Sequence, residues 1–210
     1  MPEIGLFPLG LVLLPTEQLP LHIFEPRYLE LIGECIAQEL EFGILLADEE
    51  GGSREVGTRV TVIEVLERLP DGAINIAVEG GARFRLVELT GGRSFQTGEV
   101  EPYEDEDEDE DDERDDEAAE RALALYRRLA ALVPAPPDEP DPGAALLSFE
   151  IGARVDFGAE PKQQLLELRS EAERLSLTCE LLERAAKTLE TEREVRARAS
   201  QNGKVVPGDD

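Results

Sequence analysis

The chain has 210 residues, 41% of them apolar, which is enough for one substantial core or two small ones and excludes disorder throughout. Its net charge is -27, and the run from Glu104 to Glu117, thirteen acids and one arginine, leaves -15 on the rest. Nucleic acid and anionic membrane both require clustered cations to displace counterions, so no nucleic acid and no membrane is expected as a partner.

From Gly5 to Pro20, Leu, Val and Phe alternate with Pro and Gly in a pattern too interrupted for a helix, predicting a strand or two. Pro26 suits a first helical position, where its missing N–H costs nothing, and predicts a helix over 26–39. Leu29, Ile32, Ile36 and Leu40 would form its apolar stripe, with Glu30, Glu34 and Gln38 towards water. Phe42–Leu46 reads as a short buried strand. Val60–Glu67 and Ala73–Val78 flank Pro70-Asp71-Gly72 and predict a hairpin. Gly80-Gly81 then predicts a bulge or sharp bend before a strand carrying Phe84, Leu86 and Leu89. Several short strands with frequent turns suggest a small barrel.

The acidic run, residues 104–117, is expected to be a disordered linker, because its carboxylates repel one another and are costly to bury. Ala118–Val133 is predicted helical and stops at the loop Pro134–Pro142; Ala144–Val155 makes a second helix. A third, from about Pro161 to Arg198, carries Leu165, Leu168, Ala172, Leu175, Cys179, Leu182, Ala186 and Leu189 at heptad spacing. Leu166, Leu177 and Leu181 widen that seam, favouring packing inside the molecule over pairing with a second copy. The fold class is therefore α+β: a β-rich part over 1–103 with one helix near 26–39, the linker, a helical bundle over 118–200 with one long helix, and a flexible tail over 201–210.

Cys35 and Cys179 lie far apart on apolar helical faces, as free thiols in a reducing, cytoplasmic setting do. The apolar run from Ile4 to Leu14 is broken by Pro8 and Gly10, and the first basic residue is Arg27, so it does not read as a secretion signal. His22 is the sole histidine and sits between Leu21 and Ile23, where a structural imidazole at a strand end is expected rather than a catalytic base. One histidine and two separated cysteines have no zinc spacing, and the acidic run lacks the glycine turns of a calcium loop, so no metal or cofactor is expected.

The segment Leu6-Phe-Pro-Leu-Gly-Leu-Val-Leu-Leu-Pro15 followed by Leu19-Pro-Leu-His-Ile-Phe-Glu-Pro-Arg-Tyr28 resembles the opening signature of the amino-terminal, substrate-binding domain of Lon proteases. Val56-Gly-Thr58, Leu69-Pro-Asp-Gly72 and Val78-Glu-Gly-Gly-Ala-Arg-Phe84 are similar to the family's succeeding strands, and Gln164-Leu-Leu-Glu167 with Arg174-Leu175 to the start of its long helix. The resemblance implies a PUA-like pseudobarrel plus a helical bundle that engages unfolded or extended polypeptides. It does not bring enzymatic activity with it: no G-x-x-x-x-G-K-[ST] loop is present, and Lys162, Lys187 and Lys204 sit in no serine–lysine dyad context. The expectation is a stand-alone, non-catalytic binder acting as an adaptor or chaperone, or regulating a separate Lon protease. The alternative is a small-molecule-binding module on the same barrel.

Arg27, Tyr28 and Glu30 are the expected peptide contacts. They sit at a helix start whose N–H groups can capture a carboxylate, with Arg27 adding charge and Tyr28 an apolar face, and the resemblance places this region towards substrate. The competing reading makes Phe24 and Tyr28 core and pairs Arg27 internally with Glu25 or Glu30.

Overall fold

The computed structural model describes residues 2–48, 52–106 and 116–202. In chain order the elements are β1 (Glu3–Leu9), β2 (Gln18–Ile23), α1 (Pro26–Gln38), β3 (Phe42–Leu46), β4 (Val56–Arg68), β5 (Ile74–Thr90), β6 (Gln96–Pro102), α2 (Asp116–Ala130), α3 (Leu147–Arg154), α4 (Ala159–Glu167) and α5 (Glu171–Asn202). This is the expected α+β class. The strands form one six-stranded sheet in the order β2-β5-β4-β3-β1-β6, with β1 and β3 parallel. A further pairing of β5 with β6 joins β5, β4, β3, β1 and β6 into a closed ring of neighbours. The length of β5 makes this possible: its first half lies between β2 and β4, and its second half pairs with β6.

Bulges correct the strand pattern. Strict alternation from Val60 and Val62 would turn Glu64 inward. Instead Val62 pairs with Val78 and Glu64 with the adjacent Ala77, and Val65 pairs with Ile76 and Glu67 with Asn75, so Ile63 and Leu66 are each an extra residue. Each bulge resets the phase, keeping Val60, Val62 and Val65 on the core side and Thr61, Glu64 and Glu67 on the other. The irregularity expected at Gly80-Gly81 is present: Thr58 pairs with Arg83 and Val60 with Gly80. Gly80 also meets the chain after Val12-Leu13-Leu14. Its carbonyl accepts from Thr16 N (2.8 Å), its N–H donates to Glu17 O (2.9 Å), and a Cβ there would lie 2.1 Å from Leu14 O.

α1 ends at Glu39 (φ 54), where Leu40 N donates to Cys35 O, a Schellman-type closure. Its buried residues are Tyr28, Leu31, Ile32 and Cys35, so the stripe is turned from the expected one; Leu29 and Ile36 are half-buried and Leu40 is 49% exposed. Three cores result. One lies between α1 and the strands, around Ile32, Phe42 and Ile76. The second joins Val12, Leu14 and Leu46 to Phe149, Leu165, Leu166 and Leu181. The third buries Ala122, Tyr126 and Leu147 against Leu175, Cys179, Leu182 and Ala186. The α5 seam is thus buried against α2 and α3 of its own chain.

The long helix expected from Pro161 is two helices. α4 ends at Leu168, which is extended (ψ 138), and α5 restarts after Ser170, whose Oγ accepts from Glu173 N at 3.4 Å. Ser170-Glu171-Ala172-Glu173 has the S-x-x-E form of a capping box, the local signal for that restart. The acidic run is not free of the body at its ends: Asp105 is bound by Arg83 and Arg174, and Asp116 and Glu117 open α2. The middle of that run, 107–115, and the tail from 203 lie outside the described residues.

Candidate functional site

The first half of β5 with β2 and the distal half of β4 makes a three-stranded arm with two unlike faces. Register places Leu19, Val78 and Val62 in one row and Leu21, Ile76 and Val65 in another, and these meet the α1 core. The alternate rows are Gln18–Glu79–Thr61, Pro20–Ala77–Glu64 and His22–Asn75–Glu67. On this outer face Gln18, Pro20, His22, Thr61, Glu64 and Glu67 are exposed, and Asn75, Ala77 and Glu79 are half-buried.

A hydrogen-bonded chain crosses the last row. Asn75 Oδ1 lies 2.7 Å from His22 Nδ1, and Asn75 Nδ2 donates to Glu67 Oε2 at 3.2 Å. This amide orientation makes Nδ1 the donor, leaving Nε2 as acceptor in the neutral ring. Phe24, which follows β2, stacks on the His22 ring (centroids 5.7 Å) and is 64% exposed. Burying a phenyl ring is worth about 1.5–3 kcal/mol, so one held largely in water is an available contact surface. The bulge residues Ile63 and Leu66 are 46% and 49% exposed on the same arm.

Of the three expected contact residues, the structure brings Arg27 and Tyr28 together and engages Glu30 elsewhere. Arg27 is half-exposed, pairs with Glu25 (2.8 Å) and lies over the Tyr28 ring at 4.5 Å. Tyr28 is in the core, its ring 4.0 Å from Phe7. Glu30 accepts from Ser94 Oγ at 2.6 Å. At the helix start Tyr28 N and Leu29 N both donate to Glu25 O and Pro26 has no N–H, while the Glu25 carboxylate makes no capping hydrogen bond and is held by Arg27 instead. Of the competing reading, Tyr28 as core and the Arg27–Glu25 pair hold, whereas Phe24 is exposed. Sequence reasoning missed Phe24 as a surface residue because an aromatic between apolar residues and a helix start reads as core. Ile63 and Leu66 were hidden by the same logic, since a bulge is a property of pairing.

Further along β5, at Arg83, a buried ionic joint ties strands to helices. The break after α4 frees carbonyls that arginines occupy: Arg83 Nη1 donates to Leu166 O (2.8 Å) and Leu168 O (2.6 Å), and Arg174 Nη1 to Leu168 O (3.0 Å). Asp105 binds both guanidiniums, with Arg174 at 2.7 and 2.6 Å, and Glu171 holds Arg174 and Ser148. Burial, the largest single influence on the Asp105 carboxyl, would raise it; the hydrogen bonds and charges of Arg174 and Arg83 together outweigh burial and hold it below the usual carboxylate range. Both Nη atoms of Arg83 and all three guanidinium nitrogens of Arg174 bond within the protein, which fits a structural role. A separate apolar recess of about 420 Å³ lies between α2, α3 and α5, lined by Tyr126, Leu129, Val133, Val155 and Leu189.

Among the described residues no group of His, Cys, Asp or Glu has the arrangement of a metal site, and no helix is long and apolar enough to cross a membrane.

The family model described as ATP-dependent protease La (LON) substrate-binding domain matches residues 3–184. Lon protease 1 of Hydrogenovibrio crunogenus is 25% identical over 90% of this chain and 24% of its own length, and Lon protease of Anaeromyxobacter dehalogenans is 28% identical over 85% and 22%. The chain thus spans about a quarter of the length of these curated relatives. The crystal structure of a Lon N-terminal domain protein from Xanthomonas campestris superposes with a TM-score of 0.64 at 26% identity, covering 84% of this chain and 96% of that one. The N-terminal domain of the Mycobacterium avium complex Lon protease shares the fold, with a TM-score of 0.56 at 15% identity over 87% of this chain and 98% of that one.

Proposed function

Since the chain belongs to the ATP-dependent protease La (LON) substrate-binding domain family, we propose that it binds unfolded or extended polypeptides without altering them covalently, and does so on the outer face of the β2–β5–β4 arm. The observation that carries this reading is Phe24, an aromatic side chain held in solvent by a stack on His22 beside an open three-stranded face. The closed ring of strand pairings supports the expected PUA-like pseudobarrel, and the core shared by α2, α3 and α5 supports the expected helical bundle. The buried free thiols of Cys35 and Cys179 fit a reducing compartment such as the cytoplasm.

The nearest test is fluorescence anisotropy with a labelled, permanently unfolded protein. Binding is expected in the micromolar range. Phe24→Ala, a change at an exposed site, should weaken it by about five-fold or more with no loss of thermal stability. Absence of binding at high micromolar concentration removes the reading. A chain of this kind acts as an adaptor for a Lon protease, or as a competitor for its substrates. Degradation of an unfolded substrate by that protease, measured with and without the chain, separates the two: acceleration marks the adaptor, inhibition the competitor, and an unchanged rate excludes both.

A further inference from the structure

We infer that the outer face of the arm takes a cationic, partly apolar polypeptide segment laid across it through side chains, not added to it as a strand. The inference rests on the polypeptide-binding reading and specifies its substrate class.

Charge comes first. Over residues 18–28 and 61–79 the arm carries Glu25, Glu64, Glu67, Asp71 and Glu79 against Arg27 and Arg68. Arg27 is already committed to Glu25, so four carboxylates face one remaining guanidinium. Glu64 and Glu67 lie in neighbouring outer rows, with Ile63 and Leu66 beside them in sequence. An anionic segment would therefore be repelled where the apolar contacts are offered, and a cationic one drawn in. Outer rows recur at every second residue of β5, roughly 7 Å apart, which matches the repeat of alternate side chains in an extended peptide.

Backbone geometry decides the mode. Among the described residues β2 pairs with β5 alone, and its outer edge includes Pro20, which has no N–H to offer an added strand. The edge of β4 beyond Val60 is interrupted by the two bulges at Ile63 and Leu66, which break the regular spacing of donors and acceptors. Both edges of the arm are thus poor templates for strand addition, whereas the face between them is open.

The test uses the full chain and short fluorescein-labelled peptides of alternating Leu and X, with X being Lys, Ser or Glu. The Lys peptide should bind about ten-fold or more tightly than the Glu peptide at low salt, with the gap shrinking as salt screens the face. The double variant Glu64→Gln/Glu67→Gln should bring the two within about two-fold, while Glu173→Gln/Glu180→Gln, equal in net charge but on α5, keeps the gap. Lys peptides N-methylated at alternate amides should bind as the unmethylated one does, because no backbone ladder is formed. Equal affinity for Lys and Glu peptides, or a gap unmoved by the arm variant, overturns the charge assignment; loss of binding on methylation overturns the face-on mode. Failure of every peptide, Ser included, sinks the polypeptide-binding reading itself.

Discussion

Cys35 illustrates how a single buried group reports the integrity of its surroundings. Burial, with the charge of Glu34 adding to it, pushes its thiol up to about 11, so at neutral pH almost none is thiolate. Native protein should react slowly with a disulfide reagent and unfolded protein quickly; fast labelling of Cys35 under native conditions would contradict its placement on the buried face of α1. Arg174 is the most consequential single residue, with a fully buried side chain bonded to Asp105, Glu171, Ser148 and the Leu168 carbonyl. Arg174→Met leaves the carboxylates uncompensated and should cost about 3–5 kcal/mol in chemical denaturation. Asp105 sets a pH dependence. Its folded-state carboxyl titrates below the unfolded value of about 4, so its contribution is complete above that value and disappears as pH falls through the lowered one. Thermal melts below pH about 4 should show a steeper loss for the natural chain than for Asp105→Asn, which lacks the titrating group.

At the scale of elements, what distinguishes the arm is where it spends irregularity. Bulges at Ile63 and Leu66 reverse the phase of β4 twice, and by doing so keep Glu64 and Glu67 out of the core and on the outer face of the arm. Deleting Ile63 would make Val62 and Glu64 direct neighbours on opposite faces and leave the pairing beyond them in register. A folded, cooperatively melting deletion variant is expected, and loss of cooperative melting would show that the bulge itself is required. Gly80 is the counterpart on β5: Gly80→Ala sets a Cβ against the Leu14 carbonyl and should destabilise by about 1–3 kcal/mol. The break between α4 and α5 serves the interior, since the carbonyls it releases are what Arg83 grips from the strand side.

For the whole molecule, strands and helices share a core through Leu14, Leu46, Phe149 and Leu165, and share charge through Arg83, Asp105 and Arg174. Unfolding of the β-rich part and of the helices should therefore coincide when followed by circular dichroism and by Tyr126, which lies in the helical core. The acidic run enters this joint through Asp105, although most of its length reads as low-complexity sequence. Removal of 104–117 is consequently expected to lower the melting temperature by at least as much as Asp105→Asn.

The amino-acid sequence by itself determined the α+β class, the start of α1 at Pro26, the hairpin around Pro70-Asp71-Gly72 and the heptad seam of α5, and its opening motif pointed to the family. These are local periodicities, turn chemistries and motifs, each contained in a short stretch of chain. Ser170 with Glu173 was legible there too, as a capping box inside a longer apolar rhythm. Only the tertiary structure decided that β6 exists, that Tyr28 is buried while Phe24 is not, that Ile63 and Leu66 are supernumerary, and that one acid of a charged run is clamped by two arginines. Each of these depends on which distant strand or helix lies opposite, and pairing across dozens of residues leaves no periodic mark on the chain that carries it.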